Sequence, residues 1–204
     1  MQSSTKNDVV SRALIAFGAN LASAAGPPED TVPAAMAALA RRTGTRMAAS
    51  RLFRTPAFPP GSGPDFVNAA TTMWWGGTAE ALLALLHEVE AAFGRTRMAR
   101  WEARLMDLDL IALGHRVVPD AATQARWSAL LPERAAQETP DRLILPHPRM
   151  AERSFVLAPL ADVAPGWCHP VSGLSVAQML AARPAEERGA IRPLGMPAGF
   201  NPPA

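Results

Sequence analysis

Residues 78–94 and 105–113 read TAEALLALLHEVEAAFG and LMDLDLIAL. In the first stretch Leu82, Leu85, Leu86, Val89 and Phe93 recur at spacings of three and four, which predicts a helix with one apolar face. Thr78 is a candidate N-cap, and Gly94 stands where a helix stops. In the second, Met106, Leu108, Leu110 and Ala112 alternate with other residues, so Leu105–Leu113 reads as a strand with these four on one face. Working outward, Phe66–Trp75 (FVNAATTMWW) is rich in β-branched and aromatic residues and reads as another strand. Ahead of it, Thr55–Pro64 (TPAFPPGSGP) is a Pro/Gly-rich loop, and Arg46–Arg54 is a strand with imperfect alternation. GPPEDTVPAAMAALARR predicts a helix capped by Asp30 or Thr31, with Pro33 in its first turn and Val32, Ala35, Met36 and Leu39 on one face. Arg12–Phe17 (RALIAF), ending at Gly18, reads as a buried strand. The order strand, helix, strand, strand, helix, strand predicts an α+β fold. Its core is a ferredoxin-like βαββαβ unit, an antiparallel sheet with helices on one side.

The remainder is less regular. Residues 119–140 read as an insertion with a short helix around Ala125–Leu131, and Leu143–Pro148 (LILPHP) as a brief strand stopped by prolines. Met150–Leu160 and Ser175–Ala182 are expected as helices of a C-terminal extension, and residues 183–204 as a loose tail. We expect one domain over 1–204, with its core at about 10–182.

The chain has 204 residues, of which 49% are hydrophobic and 19% charged, a globular composition. A net charge of +2 implies no general polyanion-binding surface. Nineteen of the twenty basic residues are Arg, so clustering carries more meaning than residue type. One cysteine, Cys168, excludes an internal disulfide and a cysteine metal cluster, which fits a reduced, cytoplasmic setting. The N-terminus resembles a signal peptide only in outline, because Asp8 and Arg12 interrupt its apolar stretch. No run approaches the ~20 apolar residues of a membrane span.

Chemistry concentrates in Gly94–Leu110, GRTRMARWEARLMDLDL. Asp107 and Asp109, two apart in a strand, point to the same face at a separation of about 7 Å. That spacing suits one magnesium ion, or two that share phosphate oxygens. An edge strand that uses charge to deter pairing, or plain surface salt bridges, would look the same. Arg95, Arg97, Arg100 and Arg104 precede the pair without apolar periodicity. Two of them would neutralise the aspartates, and the other two would repel. A magnesium triphosphate between the two sets removes that mismatch. A solvated basic loop, or a nucleic-acid contact with Trp101 stacked on a base, is the competing reading, and the low net charge weighs against nucleic acid. Glu90 lies in the last turn of its helix, against the macrodipole, as either a site residue or a chance surface Glu. His147, between Pro146 and Pro148, has a constrained ring direction, and Arg153 opens the next helix where a cation is not favoured. Cys168 and His169 read as packing. No Walker-type glycine loop is present.

These residues resemble hydroxymethyl-dihydropterin pyrophosphokinase, a family of folate biosynthesis. The segment above matches its signature of Arg-x-Arg, Arg-Trp, Arg and Leu-Asp-Leu-Asp. FGANL is similar to its Gly-Ser-Asn-Leu with Ala19 in place of Ser, and FRTPAF to its Tyr-Arg-Thr-Pro. DFVNAA is similar to its Asp-Tyr-x-Asn-Ala, and LPHPRMAERSFVLAPLADVAP to its Leu-Pro-His-Pro region. The resemblance implies a ferredoxin-like fold and transfer of the terminal diphosphate of ATP to 6-hydroxymethyl-7,8-dihydropterin, with release of AMP. By it, Asp107 and Asp109 would hold two Mg2+ ions. Glu90, Arg95, Arg97, Arg104, His147 and Arg153 would bind ATP. Thr55, Pro56, Phe58, Phe66, Asn68, Trp101 and Phe155 would form the pterin pocket, and Arg95 and Arg97 would share the catalytic work with the aspartates. It implies small-molecule substrates, and from the charge and hydropathy we expect no nucleic-acid or membrane partner; a monomer is the expected state. The alternatives are a magnesium-dependent transferase with another acceptor and a non-catalytic ferredoxin-like module. The chain departs from the family by one residue fewer between Arg97 and Trp101 than some members have, and by a longer segment at 119–140.

Overall fold

A computed structural model describes residues 10–57, 63–94, 105–131, 134 and 137–200. The first strand, β1, runs Ser11–Ala19, slightly longer than RALIAF at both ends. Helix α1, Pro28–Thr43, begins earlier than expected. Its N-cap is Pro27, and neither Asp30 nor Thr31 caps it, because Pro28 already has the backbone angle of a first helical residue and needs no donor partner. Pro33 therefore lies inside the helix. Thr31 instead turns its hydroxyl back to the carbonyl of Gly26 at 3.0 Å.

The strand expected at Arg46–Arg54 is two strands, β2 (Met47–Ala49) and β3 (Leu52–Thr55). Both pair with β4, Phe66–Trp75, as β1 does on its other side. Ser50 explains the break. Its side-chain oxygen accepts the Ala70 N–H at 2.9 Å, so a hydroxyl interrupts the regular ladder. Helix α2 runs Ala79–Ala92, with the Thr78 hydroxyl accepting the Ala81 N–H at 3.1 Å and Gly94 at φ 89° just beyond it. Strand β5 is Asp107–Leu113, two residues shorter than expected.

The described strands form one antiparallel sheet in the order β5-β1-β4-β3, extended beyond β3 by β6, Arg192–Gly195. The register pairs Leu14 with Ala112 and Ile15 with Leu110, leaving Ile111 as an extra residue in β5. That bulge corrects the expected alternation. Met106, Leu108 and Leu110 join one core, whereas Ala112 turns to the other face beside Ile111.

The layers differ from the expectation as well. Helices cover both faces of the sheet. Val32, Met36 and Leu39 of α1 and Leu82, Leu86 and Val89 of α2 pack with Ile15, Phe17 and Val67 on one face. On the other, Leu14, Ala16, Ala70, Ile111 and Ala112 meet α4 (Ser154–Val163) and α5 (Val176–Ala181). A sheet apolar on both sides must bury both, which is worth about 1.5–3 kcal/mol for each large side chain fully covered.

The connecting segments hold three more differences. Helix α3 is Ala121–Ser128, earlier than Ala125–Leu131, because Asp120 caps it through the Thr123 N–H at 2.9 Å. LILPHP contributes one bridge, Val118 to Leu145, and no strand, since the prolines supply no donors to a ladder. The expected loose tail carries α6 (Ala185–Gly189) and β6, which pairs along β3. All four β6 residues are exposed, so backbone pairing holds it and leaves no apolar pattern to read. The Met150–Leu160 helix resolves into a 3-10 turn at Met150–Glu152 and then α4. His169 is buried as expected, but Cys168 is exposed and does not serve packing.

Candidate active site

The bulge in β5 lies beyond the Asp pair, so register is kept where it matters. Asp107 lies opposite Gly18 and Asp109 opposite Ala16, while Gly18 on its other side lies opposite Asn68. Paired residues share a sheet face, so Asp107, Asp109, Gly18, Ala16 and Asn68 occupy one face across three strands. Phe155 and Val156, at the start of α4, stand over them and complete a cleft. Sequence reading named Asp107, Asp109, Asn68 and Phe155. It missed Ala16, Gly18 and Val156.

Gly18 is the informative omission. A Cβ there would lie 2.9 Å from Asn68 Oδ1, so only glycine lets the amide sit across the neighbouring strand. Glycine at the end of an apolar strand was the available signal. The Asn68 Nδ2 donates to Thr55 Oγ1 at 2.7 Å, and both residues are buried, which fixes the amide's orientation. Thr55 lies opposite Phe66 in the β3–β4 register, on the same face as Asn68. Pro56 follows, exposed, at the rim. Phe155 is 41% exposed, open to a flat partner, and the Arg153 guanidinium lies 5.8 Å from its ring centroid.

Arg153 also approaches Asp109, Nη1 to Oδ2 at 3.4 Å, with both side chains about one-third exposed. His147 is held at both its backbone and its ring. Its N–H donates to the Ile111 carbonyl at 2.8 Å, and its Nδ1 accepts the Arg149 N–H at 3.1 Å. Nδ1 is therefore unprotonated and Nε2 carries the hydrogen in the neutral ring. Burial pushes the imidazole down to about 4, against the pull of Asp109 and with help from Arg153. Glu90 is 1% exposed, which excludes the chance surface Glu. Its Oε1 accepts the Leu108 N–H at 2.8 Å, between the two aspartates. Phe58, Arg95, Arg97, Arg100, Trp101 and Arg104 lie outside the described residues.

Among the described residues no group of three or more His, Cys, Asp and Glu is placed to hold a metal. Two adjacent carboxylates suit a hard cation that takes its other ligands from water and phosphate, as Mg2+ does, and not a metal needing a full protein cage.

The chain matches the family model of 7,8-dihydro-6-hydroxymethylpterin-pyrophosphokinase (HPPK) over residues 14–165. A 2-amino-4-hydroxy-6-hydroxymethyldihydropteridine pyrophosphokinase of Synechocystis is 34% identical over 82% of this chain and 74% of its own length. The protein of the same name from Pseudomonas aeruginosa is 33% identical over 87% of this chain and 95% of its own. Among solved structures, wild-type HPPK-DHPS of Plasmodium falciparum superposes with a TM-score of 0.56 at 12% identity, covering 84% of this chain and 44% of that one. This chain thus spans less than half of that solved protein, and the likeness between them is one of fold.

Proposed function

The chain belongs to the 7,8-dihydro-6-hydroxymethylpterin-pyrophosphokinase family, and from that premise we propose that it transfers the terminal diphosphate of ATP to 6-hydroxymethyl-7,8-dihydropterin. The acceptor hydroxyl oxygen bonds to the β-phosphorus, the bond from that phosphorus to the α,β-bridging oxygen breaks, AMP leaves with that oxygen, and the hydroxyl proton is released. One observation carries the reading. The Asp107–Asp109 pair and the Asn68–Thr55 amide anchor share one sheet face, on either side of Gly18. A cation-binding end and a heterocycle-binding end are therefore adjacent, as a transfer between two bound substrates requires.

The residue roles follow from chemistry. Asp107 and Asp109 would hold Mg2+, two ions in our reading, which when bound neutralises phosphate charge and aligns the triphosphate. Arg153, drawn from Asp109 by phosphate oxygens, would bind them through its guanidinium fork. Neutral His147 would donate from Nε2. Arg95, Arg97 and Arg104 would complete the phosphate set, with Arg95 and Arg97 sharing the catalytic work with the aspartates, and Glu90 would belong to the same set. At the other end, Asn68 would bond the polar edge of the pterin, with Thr55, Pro56, Phe58 and Phe66 around it. Phe155 and Trp101 would take the two ring faces. The strand order supports assigning the core to the ferredoxin-like class, with α4 to α6 and β6 as its C-terminal extension. We further read the chain as one domain, acting as a monomer in the cytoplasm on small molecules and not on nucleic acid or membrane.

The test is AMP release from ATP and Mg2+, with and without the pterin, for wild type and Asp107→Ala. AMP formed only with pterin, and lost in the variant, supports acceptor and cation site together. Tight binding of magnesium ATP with no AMP in the presence of pterin sinks the acceptor assignment.

A further inference from the structure

Strand β5 ends the sheet, and among the described residues no strand pairs with its outer edge. Backbone groups on such an edge need other partners or water. Two side-by-side connections supply them here. His147 donates its N–H to the Ile111 carbonyl, and the Glu90 carboxylate accepts the N–H of Leu108 at 2.8 Å. Leu108 is the residue between Asp107 and Asp109. Glu90 meets it from the last turn of α2, where burial and the negative helix end both disfavour a carboxylate. A charge-assisted bond to the Leu108 peptide offsets part of that cost.

We propose that Glu90 is a positioning residue for the aspartate pair. By holding the Leu108 peptide from behind, it fixes the directions in which Asp107 and Asp109 leave the strand. Rotation of that one peptide would swing both carboxylates, and Mg2+ tolerates little departure from octahedral geometry. This rests on, and deepens, the reading of the pair as the cation end of the site.

The experiment compares Glu90→Ala and Glu90→Gln with wild type, in the absence of ATP and pterin. The readouts are amide hydrogen exchange at Leu108 and binding of Mn2+ alone by electron paramagnetic resonance. Gln keeps an oxygen acceptor of equal reach. Glu90→Ala is expected to exchange faster at Leu108 and to bind Mn2+ about tenfold or more weakly, while Glu90→Gln keeps slow exchange and stays within about threefold of wild type. Unchanged Leu108 exchange in Glu90→Ala overturns the proposal, and so does unchanged Mn2+ affinity despite fast exchange. Equal loss of affinity in both variants with Leu108 still protected in Glu90→Gln overturns it as well, in favour of the charge alone. Glu90→Leu, which fills the space without an acceptor, replaces the Ala variant if circular dichroism shows that one unfolded. Failure of the pyrophosphoryl-transfer reading is separately visible, since absent AMP release in wild type leaves both of these readouts intact.

Discussion

His147 shows how a single residue is set by its surroundings. Its Nδ1 is occupied by the Arg149 N–H, and burial first, then the nearby Arg153, disfavour a second proton. Its affinity for protons thus falls from the ordinary value of 6.5 to about 4. The folded protein then binds fewer protons than the unfolded chain between these values, so this residue's contribution is present above pH 6.5 and is lost as pH falls toward 4. We expect the His147 ring resonances to hold their neutral shifts down to pH 5 in an NMR titration; a midpoint near 6.5 would contradict the neutral assignment. The prolines on either side showed in the sequence that the ring direction is constrained. They did not show the charge state, which depends on Asp109, Arg149 and Arg153 meeting it through the fold.

At the scale of elements, two local events shape the sheet, and neither has a hydrophobic signature. One is the bulge at Ile111, which sends Ala112 to the second core and keeps Asp107 and Asp109 in register with Gly18 and Ala16. The other is Ser50, 0% exposed, which accepts the Ala70 N–H and donates to the Arg51 carbonyl at 2.7 Å. Replacing Ser50 by Ala leaves a buried N–H without its partner, at a cost of about 1–3 kcal/mol. Urea denaturation should show that loss as a lower midpoint with an unchanged slope. An unchanged midpoint would mean that β2 and β3 close into one strand in the variant. Helix α2 is the contrasting case. Its apolar spacing, Thr78 cap and Gly94 stop agree, and Ala79–Ala92 lies within one residue of that reading.

At the scale of the whole molecule, the C-terminal segment ties the second face to the site. Ser154, the first residue of α4, donates to Glu187 at 2.6 Å, Arg183 bonds the same carboxylate, and β6 extends the sheet beyond β3. Deleting residues 184–204 exposes the β3 edge and frees Ser154 beside Phe155. A fall in Tm of at least about 2–4 °C is expected, the shift that a loss of about 1 kcal/mol produces at this size. A Tm equal to wild type would show that β6 adds nothing to the sheet. The sequence by itself determined the core order of strands and helices, the two helices with clear apolar faces, and which residue types stand as candidates for a cation, phosphate and a flat heterocycle. Those are local properties, since spacing sets which side chains share a face and residue type sets their chemistry. Only the tertiary structure decided that both sheet faces are covered, that β6 closes on β3, and that Gly18 admits Asn68. It alone turned Glu90 onto the Leu108 peptide. Each of these depends on which backbone group or side chain arrives from a distant part of the chain, and spacing along the chain carries no record of that.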